Sequence, residues 1–91
     1  MNLKPLGANK TELSLGDVKC CGQEMHDLRV LFSYETPVAY YFTSPEGRLY
    51  FKTKQFYSRT TSKHINSWMP TNLAEEVEQY VIDDVVSGNG R

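Results

Sequence analysis

The segment YSRTTSKHINSW, residues 57–68, gathers residue types that could do chemistry: hydroxyls at Ser58, Thr60, Thr61 and Ser62, cations at Arg59 and Lys63, and an imidazole at His64. Two readings fit it. Thr60 or Thr61 can cap a helix, its hydroxyl accepting a first-turn N–H that the helix leaves without an acceptor. The N–H groups of that helix start, flanked by Arg59, Lys63 and His64, also make an anion site suited to phosphate. Polar helix starts are common, so a cap with His64 packed near Trp68 explains the pattern without a ligand. A hydrolase built on Ser58 and His64 is set aside, because no nucleophile elbow frames Ser58 and no carboxylate lies nearby in the chain.

Cys20, Cys21 and His26 raise the question of a metal or a thiol nucleophile. Zinc takes about four ligands, commonly as closely spaced pairs of cysteines and histidines. Here the cysteines are contiguous, and His26 and His64 lie far apart. No motif sets a base beside either thiol. Adjacent cysteines rarely bridge, since their side chains diverge, so free thiols in a reducing compartment are expected. On these grounds no metal, no cofactor and no enzyme activity is expected.

A second group, Tyr41, Arg48, Tyr50, Lys52 and Lys54, interleaves aromatics with cations. On one face of a sheet such residues suit single-stranded nucleic acid, with bases stacking on rings and phosphates meeting cations. They suit a protein interface as well, where tyrosine and arginine are common anchors. A solvated outer face, or one partly covered by an acidic C-terminal helix of the same subunit or of a homodimer partner, accounts for the composition without any other ligand.

The elements that must position these residues are read from periodicity. Residues 1–10, with Pro5 and Gly7, read as an irregular lead-in. TELSL, residues 11–15, alternates with Leu13 and Leu15 on one face and predicts a short strand. GDVKCCGQEMHD, residues 16–27, reads as a long loop. Over LRVLFSYETPVAYYF, residues 28–42, the apolar parity runs unbroken through Leu28, Val30, Phe32, Tyr34, Val38, Tyr40 and Phe42. A two-residue turn at Glu35 and Thr36 would move Val38 to the other face, so one long strand bent near Pro37 is expected.

SPEG, residues 44–47, has type I turn chemistry. With Pro45 and Glu46 at its tip, Thr43 faces Arg48, Phe42 faces Leu49, Tyr41 faces Tyr50 and Tyr40 faces Phe51, while Val38 and Thr53 extend the apolar face. Ile65, Trp68 and Met69 fall at helical spacing, and Pro70 bounds that helix. Asn72 and Glu75 have capping-box spacing. Leu73, Val77, Tyr80, Val81 and Val85 form the stripe of a second helix over residues 73–86, and residues 87–91 read as a frayed tail.

A chain of 91 residues with formal net charge −1 fits one domain, residues 1–86, with a single modest core. The charge excludes a globally basic nucleic-acid binder, yet it is unevenly spread. Residues 48–64 carry five Lys or Arg and no carboxylate, whereas from residue 65 onward there are five carboxylates and one arginine. No run is apolar enough to span a membrane, and residues 1–10 lack a signal peptide's apolar region, so no membrane association and a cytosolic location are expected.

SYETPVAYY followed by YSRTTSKHINSWM resembles a family of small tailed-bacteriophage proteins of uncharacterised function, in which S-Y-x-T-P-V-A precedes S-x-T-T-x-x-H-I-N-x-W. LGANKTELSLGD is similar to the usual opening of that family. The resemblance covers residues 3–17 and 30–69; CCGQEMHD stands as an insertion, and residues 73–86 lie outside the shared pattern. It implies a phage gene product acting in the bacterial host cytoplasm, and it brings no activity, ligand or catalytic residue.

The expected fold is α+β: a small bent antiparallel sheet or partial barrel of three or four strands, followed by two C-terminal helices. The expected role is that of a non-enzymatic phage accessory protein binding a host or phage macromolecule, a protein first of all. Modulation of a host process or defence system would fit a small phage gene. A nucleic-acid-binding module using Tyr50, Lys52 and Lys54 with Arg59 and Lys63 is the alternative, and a self-associating structural subunit is a third. Salt separates the first two, because phosphate-driven binding collapses as salt rises.

Overall fold

The computed structural model describes residues 2–7, 10–20, 23–55 and 57–87. The chain runs through β1 (Asn2–Gly7), β2 (Lys10–Cys20), β3 (Gln23–Ser33), β4 (Thr36–Ser44), β5 (Gly47–Thr53), α1 (Arg59–Trp68), a single 3-10 turn at Thr71–Leu73, β6 (Ala74–Val77) and α2 (Gln79–Ser87). The class is α+β with two helices, as expected. The sheet differs: it is open and six-stranded, in the order β1-β2-β3-β4-β5-β6, not a three- or four-stranded partial barrel. β1 to β5 form an antiparallel meander, and β6 lies parallel to β5. A parallel pair requires a crossover connection, and α1 supplies it.

The hairpin at SPEG forms as expected. Ser44 lies opposite Gly47, Thr43 opposite Arg48, Phe42 opposite Leu49, Tyr41 opposite Tyr50 and Tyr40 opposite Phe51. The hydroxyl of Ser44 accepts from the backbone N–H of Glu46 and donates to the carbonyl of Gly47, closing the turn.

Residues 28–42 do not form one bent strand. The chain turns at Tyr34 and Glu35, setting Ser33 opposite Thr36 and Phe32 opposite Pro37. Such a turn alone would flip the parity of β4 against β3. A one-residue bulge at Val38 restores it, because Leu31 then pairs with Ala39 and Val30 with Tyr40. Turn and bulge together reproduce the unbroken alternation of a single strand. Val38 is consequently buried beside Leu31 and Ala39 and does not extend the Tyr40–Phe51 face towards Thr53.

Three further expectations are corrected. Residues 2–7 are not a lead-in but an edge strand, with Lys4 opposite Glu12 and Pro5 opposite Thr11; an edge tolerates a proline's missing donor. Where a loop is expected over residues 16–27, residues 16–20 and 23–27 are instead the ends of β2 and β3, with Val18 opposite Met25 and both buried. Register slips near Gly16 (φ 68°) and Asp27 (φ 53°) break the alternation that would have revealed them; residues 21 and 22 lie outside the described residues. Residues 73–86 are not one helix: Ala74–Val77 pair with Tyr50–Thr53, and the helix begins only at Gln79. Pairing with β5 overrides the helical preference of Glu75 and Glu76. Ser87 ends α2, and the rest of the expected tail, residues 88–91, lies outside the described residues.

The sheet buries both faces. On one, α2 delivers Ile82 and Val85 onto Leu13, Leu28, Val30, Tyr40 and Phe42. On the other, α1 delivers Ile65, followed by Met69, onto Leu31, Val38 and Ala39. Full burial of each large aliphatic side chain contributes about 1.5–3 kcal/mol. Because α1 covers only part of its face, the row running from Arg29 through Tyr41 to Tyr50 keeps access to solvent.

Candidate functional site

Strand alternation places Arg29, Tyr41 and Tyr50 side by side on the face that carries α1, with Ala74 of β6 next in the row. The Tyr41 and Tyr50 ring centroids are 5.5 Å apart, and Trp68, at the last turn of α1, lies 4.9 Å from Tyr41. The Arg48 guanidinium sits 4.9 Å from the centre of the Tyr41 ring, a cation–π distance. Burial pushes the Tyr41 hydroxyl above its ordinary pKa, against the pull of Arg29.

A chain of charges braces this row. Glu12 is only 8 % exposed. Its Oε1 accepts from the Trp68 indole N–H at 2.9 Å, and its Oε2 meets Arg29 at 3.4 Å. Arg29 also donates to Asp27 at 3.3 Å, and the other Asp27 oxygen lies 3.8 Å from Arg48. Tyr41, then Asp27 and Glu12, push the Arg29 pKa up, outweighing its partial burial. The arginines of the face are therefore already matched by carboxylates.

Of the residues singled out from sequence, Tyr41, Arg48 and Tyr50 come together. Lys52 continues along β5 beside Glu76 of β6. Lys54 is held by Glu78 at 3.3 Å. Arg59 and Lys63 are exposed on α1, and among the described residues neither stacks on a ring of the row. Glu12, Asp27, Arg29 and Trp68 were not recognised as part of this site. Arg29 shares the parity of Tyr41 on either side of the bulge, a signal that was present; the Glu12–Trp68 contact spans 56 residues and left none.

The cap of α1 differs from the one expected. Ser58, not Thr60 or Thr61, is the N-cap, its hydroxyl accepting from the Thr61 backbone N–H at 3.1 Å. The Thr61 side chain turns inward and lies 3.0 Å from Ser33 Oγ, which in turn is 2.8 Å from His64 Nδ1. With the Ser58 hydroxyl donating to Thr61, a hydroxyl chain ties the helix to the end of β3. Ser33 is 2 % exposed and already engaged on both sides, so it is not presented to a substrate. Burial, then the nearby Lys10 ammonium, lower the His64 pKa.

His26 is exposed, 3.5 Å from Asp17 and 3.9 Å from Glu24. Among the described residues no group of three His, Cys, Asp or Glu is placed to hold a metal ion, and no helix is long and apolar enough to cross a membrane. The Cys20 side chain and Cys21 lie outside the described residues.

The profile of one protein family, a family of unknown function designated DUF8033, matches residues 1–84. The chain belongs to the DUF8033 family. The match takes in every strand of the sheet and the first six of the nine residues of α2, so the aromatic row and its charged brace lie wholly within the DUF8033 region. Neither a curated protein nor a solved structure matches the chain significantly.

Proposed function

We propose that the chain is a non-enzymatic accessory protein that binds another protein through the face formed by Tyr41, Tyr50, Trp68 and Arg48. One observation carries this reading: the aromatic row is partly exposed while its arginines are already paired, Arg29 with Glu12 and Asp27, and Arg48 with Asp27. A phosphate backbone would have to displace those carboxylates. A protein partner would instead bury rings and a stacked guanidinium, the residue types that dominate interface energetics. Supporting a binding role over a catalytic one, Nδ1 of His64 is engaged by the buried Ser33 hydroxyl, and among the described residues no carboxylate is hydrogen-bonded to the ring.

The phage setting, the bacterial cytoplasm and the modulation of a host process rest on the resemblance of the two linked motifs described above. The nucleic-acid reading retains one supporting observation: among the described residues Lys52, Arg59 and Lys63 form no ion pair. Capture from a nuclease-treated lysate of infected bacteria separates the readings. A protein retained by the wild type at about 200 mM salt, and lost with Tyr41→Ala plus Tyr50→Ala, is expected. Nucleic acid recovered alone and released by salt, or capture unchanged in the double variant, contradicts it.

A further inference from the structure

Beyond Tyr50 the aromatic row continues through Ala74 to the open edge of the sheet. The Val77 carbonyl accepts from the Lys54 N–H at 2.9 Å, so Val77 faces β5. Backbone groups alternate sides along a strand, which sets Glu75 also towards β5 and leaves the C=O of Ala74 and both the N–H and C=O of Glu76 pointing outward. Among the described residues no strand lies beyond β6, and no strand partner meets these three atoms; the Ala74 N–H instead closes the 3-10 turn that precedes β6. A bare edge of this kind is a template for another extended chain.

Three further features say what would pair there. Glu75 and Glu76 are both exposed along the edge, whereas Glu78 just beyond it is held by Lys54. Leu73 and Tyr80, each 65 % exposed, are the most exposed large hydrophobic side chains described, and they flank it at either end. Towards α1, Glu76 borders a cavity of about 160 Å³ with Lys52, Tyr57, Ser62 and Asn66. This is well below the several hundred cubic ångströms of an ordinary small-molecule site and suits a single side chain.

We propose that the β6 edge accepts an extended, lysine- or arginine-bearing peptide segment of the partner protein as an added strand. Main-chain hydrogen bonds to Ala74 and Glu76 supply the pairing, the carboxylates select cationic side chains, and Leu73 and Tyr80 hold apolar ones. A second copy fits less well. Two β6 edges would set Glu75 and Glu76 against their own counterparts, and like charges across a strand pair are destabilising. The opposite edge, β1, offers a single Lys4 and a proline, Pro5, that lacks a donor.

The proposal rests on the reading of the protein as a protein-binding module, and it names the partner segment. It is tested by amide exchange with solvent in the isotope-labelled full chain, using a capped peptide of alternating lysine and valine as the probe. Exchange at Glu76 is expected to slow by about tenfold or more, and a glutamate–valine peptide is expected to leave it unchanged. Glu75→Lys with Glu76→Lys reverses that preference, the variant's thermal unfolding showing that it remains folded. A lysine–valine peptide with its alternate amides methylated fails to protect it. Tyr41→Ala with Tyr50→Ala keeps the protection, so failure of the edge and failure of the aromatic face are read separately. No slowing at millimolar peptide, equal slowing by both peptides, or protection that appears on self-association without peptide would overturn the proposal.

Discussion

Replacing Glu12 by alanine probes the polar brace beneath the aromatic face. Glu12 is nearly buried, and its carboxylate holds the Trp68 indole N–H at 2.9 Å. A hydrogen bond to a charged acceptor contributes about 1.5–3 kcal/mol. Its second contact, to Arg29, is longer at 3.4 Å, and the Arg29 side chain is 37 % exposed and keeps Asp27. That half therefore adds at most about 0.5 kcal/mol after solvent screening. The expected loss is about 2–3 kcal/mol, which for a domain of this size lowers the urea midpoint by about 1–2 M. Trp68 is the sole tryptophan, so its fluorescence reports both the transition and the loss of its partner. Glu12→Gln keeps an acceptor oxygen and should lose only about 1 kcal/mol. A Glu12→Ala protein within about 0.5 kcal/mol of the wild type would refute the reasoning, as would a Gln variant as damaged as the Ala variant.

Other substitutions address the rest of the framework. Tyr34 turns the β3–β4 hairpin at φ 60°, a region that costs a bulky residue about 1–2 kcal/mol; Tyr34→Gly should raise stability by up to about 1 kcal/mol once chain entropy is subtracted, and a lowered thermal midpoint would count against that. Ile82→Ala should cost about 2–5 kcal/mol in denaturant unfolding, because Ile82 is fully buried between α2 and the sheet. The His64 pKa is lowered from its ordinary 6.5 by burial and by Lys10. The unfolded chain therefore takes up the proton first as pH falls, and this contribution to stability is complete above pH 6.5 and declines below it until the folded-state pKa is passed. A His64→Asn variant should flatten that part of the stability–pH curve, and an unchanged slope would argue against it.

What the sequence made legible was local. The SPEG hairpin followed register by register because its turn chemistry, proline second and glycine fourth, is contained in four residues. Likewise α1 showed itself through the spacing of Ile65 and Trp68 with Met69 just beyond. The hairpin at Tyr34 stayed hidden because a tyrosine occupies a positive-φ position that glycine or asparagine would have advertised, and because the bulge at Val38 cancels the parity change. Only partnership with β5 makes Ala74–Val77 a strand, and no pattern within AEEV reports that. The candidate site divides in the same way. Tyr41, Tyr50 and Arg48 were visible as hairpin neighbours, whereas Glu12, Asp27 and Trp68 join them only through pairings between β2, β3 and α1.

The central claim, that the Tyr41–Tyr50–Trp68 face meets a protein, is tested most directly by site-specific crosslinking inside infected bacteria. A photoreactive phenylalanine analogue replaces Tyr50 in one variant and the exposed Lys63 of α1 in another. A discrete crosslinked protein from position 50, resistant to nuclease and not obtained from position 63, is the expected result. A crosslink to nucleic acid, or a protein crosslink from position 63 with none from position 50, would contradict the account.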